Sequence, residues 1–225
     1  MTMIRPSTSF RRHFLHIAGF IFMSGLLGAC SSAYYKTMEG LGIEKRDILV
    51  DRVEEARDAQ DDASEQFASA LEQFRSTVNF DGGDLEKVYD RLNAEYEKSA
   101  AEAEEVIERI NSVESVAEDL FQEWEGELEQ YSRADLRRNS ASLLNDTRKR
   151  YKQLMSTMRR AERSMEPVLV AFQDQVLVLK HNLNARAIGA LRNELASIER
   201  DTANLIAQMQ KAIAEANVFI DSMES

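Results

Sequence analysis

The chain has 225 residues, with 28 basic against 39 acidic side chains and a formal charge of −11 at pH 7, and it holds one cysteine and three histidines. A single cysteine excludes an intrachain disulfide and a thiolate metal cluster, and the acidic balance argues against nucleic acid or anionic lipid surfaces as ligands. Two prolines and nine glycines over the whole length point to long uninterrupted helices.

At the N-terminus, Arg5, Arg11 and Arg12 precede a mostly apolar run from Phe14 to Leu27. That run falls short of the ~20 apolar residues a spanning helix needs, and His16 interrupts it, so it reads as the core of a cleavable signal peptide. Leu27-Gly28-Ala29-Cys30 resembles the lipobox of bacterial lipoproteins: an aliphatic residue, two small residues, then cysteine. The resemblance implies removal of residues 1–29 as a signal peptide and a lipid on the Cys30 sulfur. Residues 30–42 are then the lipidated N-terminus and a short tether. Ser31 in place of aspartate favours the periplasmic face of the outer membrane, with the inner membrane as the alternative. Tyr34 and Tyr35 suit the membrane interface, where amphipathic rings settle. Loss of residues 1–29 takes away three arginines and no acid, so the remainder is more acidic still, and His181 is then its one histidine.

Residues 43–223 read as one helical coiled-coil domain. The first helix is expected over 44–78, because Leu49, Val53, Ala56, Gln60, Ala63, Phe67, Ala70 and Phe74 alternate steps of four and three residues. Asn79 to Asp84 is the clearest turn: Gly82 and Gly83 allow positive φ, and Asp84 is placed to cap the next helix. That second helix, over 84–131, carries the same spacing from Leu85 through Val106 and Ile110 to Trp124. Ser132-Arg133-Ala134-Asp135 has the look of a capping box opening a third helix, over 133–165. Pro167 lacks a backbone donor and is expected to kink or reverse the chain. The fourth helix, over 167–223, has the strictest repeat, from Leu195 through Thr202 and Met209 to Met223. The fold class is therefore all-α, with long antiparallel helices in an elongated coiled-coil or four-helix arrangement. A chain running straight through Pro167 would instead need a second subunit to cover its seam.

Tyr34-Tyr35, the run from Lys45 to Val53, Leu120 to Glu125 and Val176 to Ala185 resemble the bacterial family known as domain of unknown function 2959, DUF2959. The resemblance implies a coiled-coil envelope protein of Gram-negative bacteria, and it brings no activity, cofactor or catalytic residue.

Lys180, His181, Asn182 and Asn184 interrupt the most apolar stretch, Val168 to Leu191, and form the candidate interaction or ligand site. Polar residues at core-facing positions commonly fix helix register; alternatively, they would line a site for a small or apolar ligand near residues 168–191. A lone histidine without a nearby carboxylate or nucleophile does not make a catalytic centre. Glu102, Glu104, Glu105 and Glu108 lie on a helix, not on a calcium-binding loop, and read as a solvated face. Trp124, close to Leu120, Phe121 and Tyr131, is either core or an exposed docking tip. The expectation is a protein without catalytic residues, cofactor or metal, held to a membrane through Cys30 and acting as a structural adaptor for an envelope protein. Self-association stays open.

Overall fold

The computed structural model describes residues 44–80, 82–182 and 185–224, the side chains of 185–187 excepted. The expected signal peptide, Cys30, the tether with Tyr34 and Tyr35, and Asn184 lie outside the described residues. Contacts divide the chain into residues 1–47, of which only 44–47 are described, and a compact unit over 48–225.

Four helices account for nearly all of what is described: α1 (Lys45–Val78), α2 (Leu85–Leu128), α3 (Ala134–His181) and α4 (Ala185–Glu224). The fold is all-α, and no strand occurs among the described residues. Neighbouring helices are antiparallel. Arg109 of α2 pairs with Glu55 of α1 at 2.8 Å, while Gln66 of α1 donates to Glu95 of α2 at 2.9 Å. Arg159 of α3 donates to Asn111 of α2 at 2.7 Å, and Gln153 of α3 donates to Glu215 of α4 at 3.0 Å. Arg75 of α1 closes the ring by pairing with Glu199 of α4 at 2.7 Å. Helices α1 and α3 thus stand on a diagonal, and they meet only inside, where the Phe172 ring lies 6.4 Å from both Phe67 and Phe74.

The seam read from the sequence is the core. Leu49, Val53, Ala56, Ala63, Phe67 and Phe74 of α1 are fully buried, as are Leu205, Met209, Ala212 and Ala216 of α4. Each large side chain of this kind contributes about 1.5–3 kcal/mol on leaving water. At the first turn, Gly82 and Gly83 have φ of +147° and +130°, values that side chains rarely adopt. Asp84 caps α2 as its sequence position suggests, its carboxylate accepting from the amides of Glu86 at 3.1 Å and Lys87 at 3.4 Å.

Two expectations are corrected. The Ser132 capping box does not form: Arg133 is the residue that enters α3, and no side chain caps it. The Asp135 carboxylate that would have completed the box is taken by the Arg133 guanidinium, Nε to Oδ1 at 3.1 Å. Nor does Pro167 break the chain, which stays helical from Ala134 to His181 and reverses after that helix instead. The expected helices 133–165 and 167–223 are therefore α3 and α4 with their junction displaced. Pro167 is exposed, so the Arg163 carbonyl that loses its donor faces water. On the opposite side of the same turns, Met165, Val168 and Phe172 are buried and hold the helix together. Asn182 ends it, with φ −139° and ψ 71°, its amide donating to Leu179 O at 3.2 Å and its side chain to Val178 O at 3.3 Å. Lys180 and His181 in that last turn suit the negative end of the helix dipole.

Candidate interaction surfaces

At 1.5 Å per residue, α2 and α3 run ~66 and ~72 Å, against ~51 and ~60 Å for α1 and α4. The Glu55 to Arg109 pair sets the register of α1 on α2, and α2 continues well past the start of α1. The Gln153 to Glu215 bond likewise leaves the beginning of α3 beyond the end of α4. Among the described residues, this end of the 48–225 unit is therefore a two-helix hairpin. From Gln122 to Leu143 no residue is buried, and Tyr131, Leu136 and Leu143 are 39 %, 42 % and 57 % exposed.

This hairpin is clasped by a short polar and aromatic stack. Trp124 is half-buried, and its indole Nε1 donates to Ser140 Oγ at 2.8 Å, tying α2 to α3. One turn back, buried Phe121 meets the Tyr151 ring edge-on, 5.3 Å between centroids, and the Arg148 guanidinium lies 5.1 Å from the Phe121 ring centroid. Arg148 also donates to Phe121 O at 3.3 Å and pairs with Glu125. Burial, and secondarily the Glu114 charge, pushes the Tyr151 hydroxyl up to about 12. Trp124 thus lies between the two alternatives left by the sequence: it is a clasp, and the exposed apolar surface belongs to its neighbours. Leu136 and Leu143 were not singled out as site residues, although leucines seven apart at the start of α3 were the available signal.

The second candidate group sits at the other end of α3. Lys180, His181 and Asn182 are exposed at the α3 to α4 turn, so they do not face the core. They are turn residues because the chain reverses there and not at Pro167. Beside them an open groove of about 510 Å³ runs between α3 and α4, lined in part by Asp174, Val178, Glu194, Ile198 and Asp201. Three carboxylates on its walls favour water over an apolar ligand. Trp124 is not brought near this group.

Among the polar residues that do enter the core, Gln60 and Thr202 are fully buried, with Gln60 Nε2 and Oε1 and Thr202 Oγ1 lacking a hydrogen-bond partner among the described residues. Both occupy seam positions, which was legible in the repeat even though no role was drawn from it. In the acidic stretch of α2, burial and then the charges of Asp62 and Glu105 hold the Glu102 carboxyl above its usual range. Among the described residues no three His, Cys, Asp or Glu side chains are grouped to hold a metal ion, and no helix is long and apolar enough to cross a membrane.

In comparison with known proteins, the model of a family described as a protein of unknown function, DUF2959, matches residues 34–223. No curated protein and no solved structure matches the chain.

Proposed function

The chain belongs to the DUF2959 family, whose function is unknown, and from its own residues we propose that it is a periplasmic lipoprotein, lipid-anchored at Cys30, with a non-catalytic adaptor role. Its partner is another protein of the envelope. Ser31 beside the lipobox supports the outer membrane as the site of anchorage, with the periplasmic face of the inner membrane as the alternative. The observation that carries the adaptor reading is the hairpin end, where Tyr131, Leu136 and Leu143 lie exposed in a stretch, Gln122 to Leu143, that has no buried residue, whereas exposed Ile107, Val170, Leu177 and Val218 stand singly among buried neighbours. Aromatic and aliphatic side chains on a rigid, clasped support are what a protein partner buries at the centre of an interface. The ligand-binding alternative near residues 168–191 has less support, because the groove there is open and carries Asp174, Glu194 and Asp201.

Two measurements test the proposal. Replacing Cys30 with alanine is expected to leave an unlipidated precursor and to remove the protein from the detergent-extracted membrane fraction; an unchanged distribution refutes the anchor. A photo-crosslinking residue at Leu136 or Leu143 is expected to trap one discrete protein in cells, whereas the same probe at exposed Gln210 of α4 does not. Equal labelling at all three positions would remove the hairpin end as the docking surface.

A further inference from the structure

The surface charge of the bundle is divided by helix. On α1, Asp51, Asp58, Glu65 and Glu72 are all exposed and recur every seventh residue, so they stack on the side opposite the seam. No lysine or arginine shares that column: Arg52, Arg57 and Arg75 lie to its flanks and reach Glu55, Asp58, Glu72 and Glu199. On α3 the sign is reversed. Lys149, Lys152, Arg160 and Arg163 are exposed on the outer side, and the carboxylate between Lys149 and Arg163, Glu162, is taken by Arg159. None of these four cations is ion-paired among the described residues, whereas Arg148 and Arg159, which lean toward α2, are paired with Glu125 and Glu114.

Position turns this division into a complementarity. Because α1 and α3 stand on the diagonal, their outer faces point in opposite directions, away from one another. The two helices are parallel, and Phe172 stands level with the stretch from Phe67 to Phe74. Counting from that level toward the N-terminus of each helix brings Asp51 to Glu65 within about one turn of the heights of Lys149 to Arg163, while Glu72 stands beyond the stripe. A second copy shifted sideways, without rotation, would therefore set its α1 carboxylates against these α3 cations.

We propose that the α3 stripe of Lys149, Lys152, Arg160 and Arg163 docks on the part of the α1 stripe that stands level with it, Asp51, Asp58 and Glu65, of a second copy of this chain. The contact is heterologous: each copy presents one outward stripe of each sign, so parallel copies add side by side into an open row and do not close as a pair. Being built from exposed charges, it weakens with salt.

Sedimentation velocity of the full chain in a mild nonionic detergent tests this. At about 50 mM NaCl the mass is expected to rise with concentration past the dimer, and about tenfold more protein should be needed at about 500 mM. Reversal of α3 (K149E, K152E, R160E, R163E) or of α1 (D51K, D58K, E65K) should each give a folded monomer, checked by helical circular dichroism. An equimolar mixture of the two variants should regain association, because each then offers the stripe the other lacks. The proposal is overturned by association that survives either reversal, by wild-type growth that stops at a dimer, or by a mixture that stays monomeric. It is equally overturned by a wild-type chain that remains monomeric at low salt while its α3 cations bind anionic lipid vesicles, which would make the stripe a polyanion surface.

Discussion

The four-helix segment and the two-helix end use the same kind of sequence and reach different outcomes. Where α1 and α4 are present, seam residues such as Phe67, Ile110, Met158 and Leu205 are fully buried. Beyond them, Leu120 and Trp124 continue the repeat of α2 but are only half-buried, and Leu136 and Leu143 of α3 face solvent. A heptad pattern states which face of a helix is apolar. The number of helices available to cover that face decides how much is buried.

Phe172→Ala should have the largest effect, a loss of about 3–5 kcal/mol, since the ring sits between Phe67 and Phe74 in a closed core. Trp124→Ala, at the hairpin end, should cost less than half as much in the same urea titration. Equal losses would mean that the two regions form one cooperative core and would break the comparison.

Gln60→Met is expected to stabilise by about 1–3 kcal/mol, because both amide atoms of Gln60 are buried without a partner among the described residues. A lower melting temperature would mean that the four-helix core satisfies that amide and is not dry around it. Pro167→Ala should stabilise by about 1–2 kcal/mol, less than the ~3 kcal/mol of a buried helix interior, because the carbonyl it restores already meets water.

The smallest effect concerns Glu102. Its carboxyl is held up by burial and by Asp62 and Glu105, so the folded state binds the proton more tightly than the unfolded chain does. Stability is then lost as pH rises through the carboxylate range. Glu102→Gln should raise the melting temperature at neutral pH by the equivalent of less than about 1 kcal/mol, and the gain should vanish near about pH 3, where both states are protonated. A gain that persists in acid would assign the effect to packing.

Much of the fold was legible in the chain itself. Glycine pairs and an aspartate mark the first turn because few residues adopt φ of +147° and +130°, and Asp84 caps there as its position suggests. The third reversal, between α3 and α4, was misplaced, because proline was weighed by its missing donor and not by which side of the helix it faces. That error moved Lys180, His181 and Asn182 from an exposed turn into an apparent core stretch. Leu136 and Leu143 were passed over for a related reason: exposure at the hairpin end comes from the unequal lengths of α1 and α2, which no local pattern encodes.

The sequence alone determined the helices, their amphipathic faces and the charge each carries, since these depend on spacing along one chain. Tertiary structure decided where the chain turns after α3, which seam residues are covered, and that the acidic face of α1 and the basic face of α3 stand level on opposite sides of the bundle. Those facts depend on helix register and helix length, set by contacts such as Glu55 with Arg109 and Phe172 with Phe67 between residues far apart in the chain.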